Sequence, residues 1–218
     1  MTPFWIARYA VTWAQYRAFI DAADGYQDAR WWDGLKLEEQ PGDPLWAFAN
    51  HPAINVSWYD AMAFCRWLSA RFALEQGEQV RLPTEWEWQW VAQSCAARLP
   101  YPWGEDWNAA RTNSDQAGLG RTVAVGLYPL GGPAGRKVMD LEGNVLEWCL
   151  NEYRLPEMVG LAGQGAWRVL RGCSWLAEDP DECRAASRQM GMLDYRGTHV
   201  GFRVCRGVPV EPKHADAR

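Results

Sequence analysis

The sequence predicts a loop-rich α+β fold in which a few short helices pack against a small sheet. Three segments carry apolar residues at helical spacing behind a capping signature, and short extended pieces appear only between turn residues. Twenty glycines and thirteen prolines punctuate the 218-residue chain too often for long elements to dominate its second half. Fifteen tryptophans call for a rigid, irregular core, since each buries a large apolar body while its indole N–H needs an acceptor.

The first helix follows Thr12, with Gln15 at capping-box spacing and Tyr16, Phe19 and Ile20 on one face, and should end near Gly25. Residues 23 to 50, rich in Trp, Gly, Asp and Pro, read as a long insertion packed by its own aromatics. The second helix opens at Ser57 with Asp60 in its first turn; Ala61, Phe64, Cys65 and Leu68 recur at helical spacing as far as a stop at Gly77. Cys65 is therefore a core position. The third follows Thr84, with Glu87 three residues on and Trp86 and Trp90 one turn apart, and should reach Cys95. After Pro100 the extended pieces TVAVGLY, RVL and GFRV could pair into a small sheet. Residues 1–207 form one expected domain, and 208–218 a solvated tail.

A formal charge of -5 without a basic run argues against a nucleic-acid face. No signal-peptide pattern or membrane-length apolar run is present, so no membrane insertion is expected and the chain as written is cytoplasmic unless a leader lies upstream. Six cysteines are scattered with no CxxC pair, in a chain large enough to fold without a disulfide framework. The histidines His51, His199 and His214 offer no zinc or two-histidine iron set, so a redox metal would have to rest on cysteines.

Five blocks, at 7–22, 51–69, 80–92, 138–149 (VMDLEGNVLEWC) and 171–204 (RGCSW to GFRV), stand in an order and spacing that resembles the formylglycine-generating-enzyme (sulfatase-modifying factor) family over nearly the whole chain. The resemblance implies a C-type-lectin-like fold, a few helices around a small twisted antiparallel sheet. It also implies where a copper-binding cysteine pair of the family's oxidases would stand. The first position, three residues after the motif serine Ser174, is Ala177; the second falls on Glu182, one before Cys183. Copper is accordingly not expected, because one thiol cannot supply a two-thiolate site. Cys173, in place of the motif's second glycine, is the residue that could reopen the question.

By the same resemblance, Asp140 and Glu147 would give carboxylates and Gly143 and Val145 carbonyls to a structural calcium ion. The alternative is a turn tied by hydrogen bonds, with Glu147 against backbone amides. A second family calcium site would begin at Asn113 but meets Ala117 where it needs an acid. Arg171, Arg188 and Arg203 match positions where guanidinium groups are buried against loop carbonyls. Trp148, Trp175 and Phe202 read as core framework.

Between these framework residues lie Leu176, Ala177, Asp179, Asp181, Gln189, Met190, Met192, Leu193, Asp194, Tyr195, Thr198 and His199, a mixture of thioether, aromatic and carboxylate groups that follows no clear period. Such a mixture suits recognition of a protein ligand. A subset of the family comprises variable proteins of diversity-generating retroelements, whose matching segment is rewritten to alter specificity. The expected function is thus a non-catalytic ligand-binding domain, with a copper-dependent oxidase of protein cysteine as the alternative. A hydrolase using Cys183 or Ser174 with His199 lacks a glycine elbow. The ergothioneine-pathway oxidases of the family take their iron ligands largely from a further helical domain absent from this sequence. Ligand identity and oligomeric state are open.

Overall fold

The computed structural model describes residues 2–211 except 38, 43, 76, 96, 97, 163 and 164. Most of the expected tail, residues 212–218, thus lies outside the described residues. Strands β1 (Phe4–Ile6), β7 (Cys205–Gly207) and β2 (Gln79–Arg81) form an antiparallel sheet in the order β1-β7-β2. Strands β3 (Leu146–Glu152), β4 (Trp167–Arg171), β5 (Arg188–Met192) and β6 (Val200–Gly201) form a second sheet in the order β5-β4-β3-β6. Its β3–β6 pair is parallel, a departure from the all-antiparallel expectation, because the chain crosses from β5 over the sheet before β6 joins the other edge.

All three expected helix starts are present, each with a reciprocal capping box: α1 (Trp13–Asp21) behind Thr12, α2 (Trp58–Ser69) behind Ser57 and α3 (Glu85–Ala92) behind Thr84. The two later stops come earlier than expected. Helix α2 ends at Ser69 rather than near Gly77 because the Ser69 hydroxyl donates to the Val80 carbonyl (3.0 Å) and accepts from the Val80 N–H (2.7 Å), turning the chain into β2. Helix α3 stops at Ala92, and Ser94 and Cys95 follow in left-handed backbone. The piece RVL lies in β4, but TVAVGLY is no strand. Side chains satisfy its backbone instead: Asn144 bonds both the N–H and the C=O of Val123, and Asp140 accepts from the Gly126 N–H (2.6 Å). Gln189–Met192, which showed no period, is edge-strand backbone in β5.

Helices α1 and α2 pack Tyr16, Phe19, Trp58 and Phe64 into one core with Phe202 and Trp148. The 23–50 segment closes this core with Tyr26, Trp31 and Trp32. Buried indoles find carbonyl acceptors as expected, Trp58 on Cys149 and Trp148 on Val56, both at 2.9 Å, although the indole N–H groups of Trp13 and Trp67 have none among the described residues. Trp88, Val91, Leu141, Cys149 and Val169 make a second cluster between α3 and the larger sheet.

Gly25 sits where α1 folds back, accepting no side chain: a Cβ there would lie 1.9 Å from the Phe19 carbonyl oxygen. Gly25→Ala should therefore cost about 3 kcal/mol in urea unfolding, while Gly42→Ala, with open space around it, should stay within about 0.5 kcal/mol of the native chain.

Candidate functional site

The site expected to hold calcium is organised around a guanidinium group. Glu147 on β3 is fully buried, and both its oxygens are engaged: Arg203 Nε donates at 2.7 Å, Arg203 Nη2 at 2.8 Å and the Trp88 indole at 2.7 Å. The remaining Arg203 donors reach the carbonyls of Ala7, Arg8, Met139 and Asp140 at 2.9 to 3.3 Å. Burial works against the Arg203 charge, but Glu147 outweighs it and leaves the pKa above the ordinary arginine value. The Asp140 carboxylate accepts from Gly126, and the Gly143 carbonyl accepts from the Val145 N–H at 2.9 Å. The alternative of a turn tied by hydrogen bonds thus describes Glu147 and Asp140, with Arg203 and Trp88 in place of backbone amides as the partners of Glu147. At the second site Asn113 donates to Arg121 and Asn144 while its Oδ1 has no partner among the described residues, and position 117 is an alanine.

The cysteines depart from expectation. Cys173 and Cys183, both fully buried, form a disulfide, so Cys183 is neither a lone thiol nor a free nucleophile. Ala177, expected among the displayed residues, is only 5% exposed and packs with this disulfide and Tyr101. The Ala177 backbone also joins Asp115 and Ser174. Of the other thiols, Cys65, Cys149 and Cys205 are buried, and burial pushes all three upward. Ser174 is buried with its hydroxyl accepting from the Leu176 N–H, and no hydrogen bond joins it to His199 among the described residues. His51 holds a turn through Thr122 (3.0 Å).

The remaining displayed positions fall into three groups. Leu176, Asp179 and Asp181 lie on the loop closed by the disulfide; the exposed side chains of Met190 and Met192 project from edge strand β5, where Gln189 is half-buried. Leu193, Asp194, Tyr195, Thr198 and His199 lie on the crossing from β5 to β6. The Tyr195 and His199 rings stand 6.2 Å apart, and the Trp175 indole donates to the Thr198 carbonyl (3.2 Å), joining the first group to the third. Burial lowers the His199 pKa.

Two features of the site carry no mark in the sequence. Arg196 anchors the crossing by a two-pronged ion pair with the fully buried Asp60 (2.8 and 2.9 Å), and the Tyr26 hydroxyl donates to the same carboxylate (2.8 Å). Asp60 thus caps α2 and pairs with Arg196 at once. Arg188 also differs from expectation: it binds the Glu85 carboxylate, shared with Arg171, and not loop carbonyls. The second feature is Glu142, whose buried carboxyl has no well-formed hydrogen bond on either oxygen among the described residues, the Cys173 N–H being the donor that faces it. Burial pushes its pKa well above the usual carboxyl range, with Arg171 pulling the other way. A charged residue inside a turn sequence gives no sign of such burial.

Residues 1–208 match the model of the sulfatase-modifying factor enzyme 1-like domain. The chain belongs to this family. The formylglycine-generating enzyme of Thermomonospora curvata is 27% identical, over 96% of this chain and 84% of that protein. The serine/threonine-protein kinase pkn1 of Chlamydia pneumoniae is 28% identical over 94% of this chain, which spans only 33% of the kinase. Among solved structures, Treponema denticola variable protein 1 superposes with a TM-score of 0.69 at 23% identity, over 93% of this chain and 84% of that one. At that identity the likeness speaks for the fold alone.

In this sulfatase-modifying factor domain, Glu147→Gln leaves Arg203 as an unbalanced buried charge and should cost about 3–5 kcal/mol in urea unfolding. If Asp140, Gly143, Val145 and Glu147 hold calcium, chelator should lower the thermal midpoint; an unchanged midpoint would favour the turn tied by hydrogen bonds. Glu142 retains a proton in the folded chain that the unfolded chain loses above its ordinary value of 4.5, so its contribution lowers stability as pH rises past that value. Glu142→Gln should accordingly be more stable than the native chain at neutral pH, with the gap closing on acidification below pH 4.5.

Proposed function

We propose that this sulfatase-modifying factor domain is a non-catalytic recognition module. It binds a protein ligand through the loop 174–182 and the crossing 193–199, with Met190 and Met192 beside them. The observation that carries this reading is the packing around Ala177. The position where the family's oxidases would need their first thiolate holds a buried methyl group, and Cys183, next to the second position, is consumed in the bond to Cys173. Leu176, Met190, Met192 and Tyr195 are each between 40% and 49% exposed, enough to supply apolar contact area on an anchored backbone. The fold shared with the Treponema variable protein is compatible with that use and does not itself decide it.

Kinship with the Thermomonospora enzyme keeps an oxidase of protein cysteine as the second reading. It is tested by loading the chain with copper(I) and following oxidation of a cysteine peptide. No turnover above the protein-free background is expected; turnover abolished by Cys173→Ala would overturn the recognition reading. For binding, the native chain and a Leu176→Asp/Tyr195→Asp variant of unchanged circular dichroism are immobilised and exposed to the same protein extract. Proteins held by the native chain should fall by about tenfold on the variant, the scale of one lost anchor contact; equal retention would remove the face from consideration. Diversification by a retroelement makes its own claim, namely a reverse transcriptase and an imperfect repeat of the segment's coding sequence in the neighbouring DNA. Without them that part falls and the binding reading stands.

A further inference from the structure

Backbone from three distant parts of the chain is laid side by side next to the turn that precedes β3. A Cβ at Gly131 would lie 2.1 Å from the Arg111 carbonyl oxygen, and one at Gly132 would lie 2.2 Å from the Val138 carbonyl oxygen. The 131–132 pair is thus pressed between Arg111 and Val138, an approach only glycine allows. Next along, the Met139 N–H donates to the Arg8 carbonyl (2.9 Å). A cavity of about 440 Å³ is lined by this array, within the roughly 300–1,000 Å³ that small-molecule sites occupy.

Four cations line the cavity, Arg8, Arg111, Arg136 and Lys137, and no aspartate or glutamate does. Two of them are anchored on its wall. Arg111 Nη1 donates to the Leu130 carbonyl (3.2 Å), and Arg8 Nη2 lies 3.6 Å from the Met139 sulfur. Each contact occupies one nitrogen, and the other guanidinium nitrogens of both residues have no hydrogen bond or ion pair among the described residues. Arg136 and Lys137 follow a turn in which the Arg136 N–H donates to the Pro133 carbonyl (3.1 Å), with Gly135 in left-handed backbone. Glu105 and Asp106 line a separate cavity that shares Trp103 and Arg111, and neither pairs with Arg111. In a chain of net charge -5, such a concavity focuses positive potential where an anion can enter. A guanidinium fork with free donors matches two oxygens of a phosphate. The half-buried Trp103 also lines the cavity, fixed by stacking on Tyr101 at 5.5 Å and by its indole bond to the Asp106 carbonyl (3.1 Å).

We infer that this cavity binds a phosphate monoester, its phosphate held by the Arg8 and Arg111 guanidinium groups with Arg136 and Lys137 beside them, and its organic group against Trp103. None of the residues assigned to protein recognition lines the cavity, so the two readings stand or fall separately. Isothermal titration of the native chain with phenyl phosphate should show one site with a Kd below about 1 mM, and inorganic phosphate and phenol should each bind at least about threefold more weakly. Arg8→Gln with Arg111→Gln should weaken phenyl phosphate by about tenfold or more, the scale of a lost charge-assisted pair. Should that variant lose the native circular dichroism spectrum, Arg136→Gln with Lys137→Gln, both exposed, should still weaken binding by about threefold. Removing Arg121 and Arg154 instead, exposed cations outside the cavity, should leave the Kd within about twofold of native. Absence of saturable binding up to about 1 mM would overturn the inference. So would an equal loss in the Arg121/Arg154 variant, which would reduce the effect to net charge, or equal affinity for inorganic phosphate, which would leave the organic group without a site.

Discussion

The Arg203–Glu147 pair is the interaction on which the rest of the architecture depends. Taking two full charges out of water costs several kcal/mol per ion, and the attraction between them offsets this only when the other donors and acceptors are also satisfied. Here they are: Arg203 spends its further donors on four carbonyls from the chain leaving β1 and from the turn before β3, while Trp88 completes Glu147. One side chain thereby gathers the start, middle and end of the chain. An elaborate turn of inward-facing oxygens is held by an internal cation.

The same economy governs the larger sheet. Glu85, at the first position of α3, accepts from both Arg171 and Arg188, tying β4 and β5 to the helix that covers them. Asp60 does the equivalent at the start of α2 for the crossing that carries Arg196. Helix N-termini favour carboxylates on electrostatic grounds, and at both helices the acid that suits the helix end also meets a distant arginine. Local and tertiary preferences agree at these positions, as a uniquely folded sequence requires.

What could be read from the sequence divides along the range of the interactions. Helix starts at Thr12, Ser57 and Thr84 were legible because the capping box is made between residues three apart. The end of α2 was not, because it depends on Ser69 meeting Val80 in a strand not yet formed. Arg203 is legible as a buried arginine through the family resemblance, whereas its pairing with Glu147 is not, since a carboxylate in a turn carries no mark of which cation it will meet. Cys173 and Cys183 stand ten residues apart with nothing between them to signal a bond. The burial of Ala177 is not legible, because a small side chain is equally consistent with exposure and with close packing. Arg196 went unnoticed because one arginine among polar loop residues looks like any solvated charge.

The crossing from β5 to β6 is positioned largely by its own carbonyl oxygens. Those of Leu193, Gly197, Thr198 and His199 accept from the N–H groups of Trp58, Asn55, the Trp175 indole and Leu146, all donors that lie outside the crossing. Every residue type has such a carbonyl. Apart from Arg196, Leu193, which packs on the main core, and Gly197, where a Cβ would meet the Tyr195 ring, the path of this loop is therefore almost independent of which side chains it carries, and substitutions at the other positions would sample new surfaces while leaving the backbone that presents them in place.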